Sequence, residues 1–463
     1  MFIETILAIN WSSVGLKIAQ LLLSLSILVI LHEFGHYITA KWFKCRVEKF
    51  YLFFDAGFSL FKRKIGETEY GIGWLPLGGY VKISGMVDES MDKEALKLPP
   101  KDYEFRSKPA WQRLIIMLGG VTVNVLVAFI IYGMISMVWG EKKIESDSLK
   151  YGIAFNDSIF QKLGFQNGDN IVAVDGKPVD DFVDALKKLL VVDDSVTVIR
   201  NGERKSLNMP VDLIGQLIER KKKSEVALMA PRIPVIVLDV SDTSNAYKAG
   251  LKVGDVIQKV EGKEVSFYDQ FTQVMADKKK GDSLSIVVNR KDSMVQLYSV
   301  VENDGKIGFS QPASNEQFDS LGIFKYTVTK YGLLGAIPAG VRRSGAELKF
   351  YAQQFGKILS PKTGGYKGVG GFKGMASVFR GDGWDWERFW SMTALFSIIL
   401  AFMNLLPIPA LDGGHVLFTL IEMISGRKPN EKILEYAQIA GMIILLSLML
   451  YANLNDWIGW GKD

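Results

Sequence analysis

Between Ile18 and Ala40 the chain carries a single formally charged residue, Glu33, and it lies inside His32-Glu33-Phe34-Gly35-His36. A carboxylate in an apolar stretch long enough to cross a bilayer is costly, so such residues face a bundle interior or a water pocket and mark function. The stretch itself is constrained to be helical, because hydrocarbon offers no partners for backbone N–H and C=O groups. On a helix, two histidines four residues apart share one face and can hold one zinc ion. The intervening Glu is then placed to take a proton from an attacking water. A lone histidine is more often a hydrogen-bonded structural residue, but this chain has 3 histidines and two of them make the motif.

Three further segments, at about 114–139, 389–411 and 436–454, are also long and nearly uncharged. About 20 apolar residues cross the roughly 30 Å of hydrocarbon, so with 18–40 they make four predicted spans. Pro407 and Pro409 interrupt the end of the third, a break tolerated at membrane depth where it is buried in protein or lines a cavity. The first segment begins too late and runs too long for a cleavable signal, and is expected to be retained.

Lys41, Lys44, Arg46, Lys49, Lys62, Arg63 and Lys64 follow the first span, and Arg427, Lys428 and Lys432 follow the third. The excess of Lys and Arg places both loops in the cytoplasm, and both termini and the 140–388 region outside. These loops account for the net charge of +5, leaving no signal for nucleic acid. The first and third spans then run in the same direction, so His32, His36 and the Asp412 region should meet in the cytoplasmic half. Cys45, the only cysteine, lies just past the first span, so disulfides do not hold the external region together.

Catalytic zinc usually takes three protein ligands and keeps one position open. The run Asn404-Leu405-Leu406-Pro407-Ile408-Pro409-Ala410-Leu411-Asp412-Gly413-Gly414-His415 offers Asp412 and His415 as the third. A His₂Asp and a His₃ site are both chemically acceptable, and spacing does not separate them. The plainer alternative is an Asp capping a helix over Val416–Ile424. In the second span, Gly119 and Gly120 permit close helix approach, and Asn124 offers hydrogen bonds near the metal. Phe50 to Ser84 reads as strands, with a hairpin turn at Lys62–Gly66 and a strand at Glu69–Trp74.

The external region repeats. Gly164-Phe165-Gln166-Asn167-Gly168-Asp169-Asn170-Ile171 aligns with Gly250-Leu251-Lys252-Val253-Gly254-Asp255-Val256-Ile257, 86 residues on. Val174–Val179 aligns with Val260–Val265 at the same spacing, which implies two copies of one unit. Helices are expected at Phe182–Leu190, Phe267–Asp277 and Lys349–Leu359, and a glycine-rich run spans Gly364 to Gly374.

HExxH in a first span with NxxPxPxLDGGH in a third resembles the site-2 protease family of intramembrane zinc metalloproteases. The likeness covers nearly the full chain and is strongest to the bacterial branch with tandem PDZ domains between spans two and three. It implies that His32, His36 and Asp412 hold Zn²⁺, that Glu33 is the catalytic general base, and that His415 is a supporting residue. Asn404, Asn124, Gly120, Pro407 and Pro409 become substrate-binding candidates. The resemblance also places a β-hairpin loop against the membrane, its edge strand pairing with an unwound substrate. GLxxGDxI resembles PDZ domains, but neither copy has a clear GLGF-type carboxylate loop, which suits the family's screening of substrates by external bulk. Gly370-Gly371-Phe372-Lys373-Gly374 departs from the family's usual Gly-Pro, in a segment readable as a hinge or as a plain connector.

The expected architecture is an α-helical polytopic membrane protein with four transmembrane helices, a membrane-associated β-hairpin or sheet, and two inserted β-rich PDZ-like domains. Residues 1–140 hold the first two spans and the β region, 141–226 and 227–315 the repeats, 316–388 the connector, and 389–463 the last two spans. The expected function is a bacterial inner-membrane zinc endopeptidase acting on single-span membrane proteins, by resemblance anti-sigma factors or remnant signal peptides, with the lipid bilayer as its medium. A non-proteolytic scaffold binding external peptides through the PDZ pair is the alternative from another class. A metal transporter would leave the repeat and the hairpin without a purpose.

Overall fold

The computed structural model describes residues 10–76, 78–86, 99–220, 227–302, 305–427 and 430–459. Lys428 and the expected domain boundary at residue 226 lie outside them. The chain forms two compact units, one of residues 1–140, 330–359 and 366–463, the other of 141–329 and 360–365.

In the first unit, helices Trp11–Trp42, Ala110–Val138 and Trp386–Leu405, and the stretch Lys432–Ile458, are each long and apolar enough to cross a membrane. The second span packs against the first, the third and two shorter helices. The third stops at Leu405, earlier than the expected 411, because Pro407 and Pro409 have no N–H to continue it. The chain turns through Ala410, held at φ 79°, and restarts as the helix Asp412–Ser425. Asp412 therefore lies in the first turn of that helix, behind Leu411 at the N-cap, and the helix begins before the expected Val416.

A connector helix, Leu333–Leu359, begins well before the expected Lys349 and continues through Pro338. It packs against the second and third spans. A Cβ on Gly340 would fall 2.3 Å from the Phe129 carbonyl oxygen, so the two backbones touch there.

Past the first span, β1 (Val47–Leu52), β2 (Phe54–Ile65), β3 (Thr68–Leu75) and β4 (Tyr80–Ile83) form a sheet of order β2-β3-β1-β4. The β2–β3 hairpin turns at Gly66-Glu67, slightly later than read from the sequence, and Gly66 supplies the positive φ that a two-residue turn requires. Phe58, Leu60, Phe61 and Ile65 are exposed on β2. Tyr37 and Tyr70 share a 2.7 Å hydroxyl contact that ties the sheet to the first span.

The second unit repeats one topology. Strands β5 (Asn170–Val174), β6 (Lys177–Pro178), β7 (Ser195–Arg200) and β8 (Glu203–Asn208) run in the order β6-β5-β7-β8. Strands β9 (Val256–Val260), β10 (Lys263–Glu264), β11 (Ser283–Arg290) and β12 (Ser293–Val300) repeat it as β10-β9-β11-β12. Each copy has its own core, with Phe155, Phe165, Ile171 and Val198 in one and Leu251, Ile257, Ile286 and Val288 in the other. The helices Phe182–Leu190 and Tyr268–Met275 fall where expected, the second slightly shorter.

The repeated Gly-Asp motif has a structural cause. Asp169 accepts the Gln166 N–H and a two-pronged contact from Arg200, whose Nη2 also donates to the Gly164 carbonyl. Asp255 does the same with the Lys252 N–H and Arg290, which reaches the Gly250 carbonyl. In each copy a buried carboxylate pins the loop between two glycines, Gly164 and Gly168 in one and Gly250 and Gly254 in the other, to the third strand of the sheet.

Candidate metal centre

His32 and His36 lie one turn apart on the first-span helix, both buried. Their Nε2 atoms are 3.3 Å apart. Asp412 Oδ2 stands 3.2 Å from His32 Nε2 and 3.3 Å from His36 Nε2. Spans one and three, with the break after Leu405, thus converge as their shared direction predicted.

His36 Nδ1–H donates to the Ile116 carbonyl at 2.9 Å, which leaves Nε2 with its lone pair towards the centre. Asp412 Oδ2 is buried and has no hydrogen-bond donor. Lone-pair atoms brought together without a proton between them repel unless a cation sits among them. Ligands about 2.0–2.1 Å from a tetrahedral zinc stand roughly 3.3–3.4 Å from one another, which is the spacing of these three atoms. The donor set and its spacing fit zinc. Among the described residues this is the one such group of His, Cys, Asp and Glu side chains.

The second span makes the approach possible. A Cβ on Gly35 would fall 2.3 Å from the Gly119 carbonyl oxygen, so the first and second spans touch backbone to backbone. A Cβ on Gly120 would lie 2.5 Å from His36 Nε2 and 2.6 Å from His32 Cε1. Asn124, fully buried, puts its amide nitrogen 3.0 Å from His32 Nδ1. Asn404, on the last turn of the third span, puts its amide nitrogen 3.3 Å from His32 Nε2. Gly120 and Asn124, read from the sequence as substrate contacts, both abut the imidazoles.

Glu33 is half-buried on the same helix. Its Cγ lies 3.2 Å from where a Cβ on Gly79 would stand, so the Gly78-Gly79 approach to β4 runs beside the carboxylate. Neither Gly79 nor Gly35 carries a side chain by which a sequence could mark its place beside the site. The Ile116 carbonyl could not be found from side-chain identity at all.

His415 stands apart from the trio. Its Nε2 is 3.2 Å from Gln438 Nε2 on the fourth span, and its carbonyl accepts from Thr419. Pro407 is exposed, while Pro409 forms backbone contacts with Gly414 and Gly441. Arg113, at the start of the second span, pairs with Glu422 on the helix that Asp412 opens.

The model of peptidase family M50 matches residues 20–448. The regulator of sigma-E protease RseP of Escherichia coli K12 is 30% identical over 95% of this chain and 98% of its own length. RseP of Salmonella typhimurium is 29% identical over 97% and 99%. A Vibrio cholerae relative, named provisionally as a zinc metalloprotease, is 29% identical over 94% and 97%. With a match this extensive, laid over a zinc-spaced trio on helices fit to cross a membrane, the chain belongs to peptidase family M50, the site-2 proteases, and is a zinc metalloprotease.

Proposed function

We propose that the chain is an intramembrane endopeptidase of the bacterial inner membrane, cutting single-span membrane proteins within or near their spans. The observation that carries this reading is the convergence of His32, His36 and Asp412 within 3.3 Å of one another, with Glu33 on the same apolar helix. Zinc, when bound, supplies a Lewis acid that polarises the scissile carbonyl and acidifies water. Glu33 takes the proton from the attacking water and passes it to the leaving amine. Asn404, beside His32, offers its amide to substrate backbone, and Pro407 and Pro409 hold the chain open there.

A helical peptide bond is shielded by its own hydrogen bonds, so the substrate has to unwind before it is cut. Strand β4, which among the described residues pairs only with β1 and is entered beside Glu33, supports strand addition as the way the unwound backbone is satisfied. The exposed apolar residues of β2 suit a hairpin lying against lipid.

The Lys and Arg distribution supports external termini and an external position for the second unit. The matching topology of the two sheets supports a PDZ-like pair, which screens substrates by the bulk of their external portion. The sigma-E regulation named for the relatives supports trimmed anti-sigma factors as substrates, with remnant signal peptides as a second group. The test places the full chain in liposomes with two substrates sharing one span, one of them carrying a folded external domain. Cleavage of the trimmed substrate alone is expected. Equal cleavage of both removes the size screen and leaves the protease, and cleavage of neither removes the proposed substrate class.

A further inference from the structure

Asn124 joins three spans. Its backbone carbonyl accepts from Ser397 Oγ of the third span at 2.8 Å, and its amide faces His32 Nδ1 of the first at 3.0 Å. Amide Nδ2 faces the ring nitrogen while Oδ1 is buried with no partner. Amide oxygen and nitrogen are assigned from the network around them. If Nδ2 donated to His32, Nδ1 would be bare and the neutral ring would carry its proton on Nε2. That proton would point into the trio and occupy the lone pair that zinc needs. Turning the amide gives Oδ1 the Nδ1–H as donor and frees Nε2.

The surrounding helix face supports the turned amide. Ile116, Gly120 and Asn124 recur every four residues along one face of the second span. Ile116 accepts from His36 Nδ1, Gly120 leaves room for both rings, and Asn124 meets His32 Nδ1. We infer that Asn124 is a positioning residue whose side-chain oxygen fixes the tautomer and orientation of His32 for zinc, as the Ile116 carbonyl does for His36. This rests on the zinc-ligand reading of His32 and gives Asn124 a role other than substrate contact.

The test compares zinc affinity of the full-length wild type, Asn124→Leu and Asn124→Asp in detergent, by competition with a chromophoric chelator. A carboxylate accepts the Nδ1–H but cannot donate, whereas leucine does neither. Asn124→Leu is expected to lose about 10–100-fold in affinity, with Asn124→Asp staying within a few-fold of wild type. Thermal unfolding of the metal-free proteins separates this from packing damage. Wild-type affinity in Asn124→Leu overturns the inference, and so does an equal loss in Asn124→Asp, which would make Asn124 a donor. Nitrogen-15 NMR of histidine-labelled wild type with zinc needs no variant, and only 3 histidines have to be assigned. The His32 proton is expected on Nδ1, and a proton on Nε2 overturns the assignment. Zinc failing to bind wild type at all would instead sink the ligand reading beneath it.

Discussion

Gly120 and His36 stand so close that a single methyl on the glycine would reach 2.5 Å from the imidazole Nε2. The His32, His36 and Asp412 trio is therefore shaped by what the second span leaves out as much as by what the first supplies. A hydrogen at position 120 lets the two rings, set edge to face with their planes 83° apart, come close to a helix that also carries the Ile116 carbonyl and the Asn124 side chain against them.

Gly120→Ala should displace both rings together. We expect zinc affinity and proteolysis to fall by more than tenfold, with a stability loss of about 1–3 kcal/mol from overpacking. Metal content after dialysis and thermal unfolding measure the two effects separately. An alanine variant that retains zinc normally would mean the helices separate at little cost.

The Arg113–Glu422 pair ties the start of the second span to the helix that presents Asp412. Both side chains are 12% exposed, so removing one partner strands the other with little water. Glu422→Gln should cost about 3 kcal/mol and weaken zinc binding, because Asp412 loses its brace. The swap Arg113→Glu with Glu422→Arg should recover part of both, read from a double-mutant cycle of thermal stability and zinc affinity.

Asp255 and Asp169 do matching jobs in the two repeats. Asp255→Asn should destabilise the second copy by about 2–3 kcal/mol, since Arg290 keeps some water and the lost bonds are charge-assisted. Urea unfolding of the full chain, followed by hydrogen exchange in residues 230–302, checks this. Asp169→Asn should act on the first copy instead.

The glycine-rich connector is pinned rather than loose. Asp456, near the end of the fourth span, accepts from the Gly371 and Gly374 N–H groups, and Asn453 accepts from Phe372. Asn455 donates to the Lys367 and Val369 carbonyls. Asp456→Ala should open residues 366–374 to protease several-fold faster, with little change in zinc affinity. Unchanged digestion would show that the other contacts suffice.

The spans and the histidine–aspartate trio were legible because a charge in hydrocarbon is costly and because two segments read as running the same way should bring His36 and Asp412 together. The 86-residue repeat was legible because Asp169 and Asp255 each need the same glycine-bounded loop to meet an arginine. The connector helix begins at Leu333, well before the expected Lys349, and runs through Pro338. That proline falls early in Leu333–Leu359, where one missing N–H removes one bond. The choice between Asp412 and His415 needed the turn through Ala410, which aims the first residue of the new helix at the histidines and leaves His415 to Gln438. The partner of His36, the Ile116 carbonyl, was hidden for a different reason. A backbone carbonyl carries no chemical label in a sequence.

The central claim is that Glu33 and a metal held by His32, His36 and Asp412 cut a peptide bond together. The most direct measurement incubates purified protein with a tagged single-span substrate, comparing wild type, Glu33→Gln, and wild type with a zinc chelator before and after zinc is restored. Cleavage by metal-loaded wild type alone, with Glu33→Gln still binding zinc, is the result predicted. Cleavage by Glu33→Gln at the wild-type rate, or cleavage indifferent to the chelator, would contradict the account.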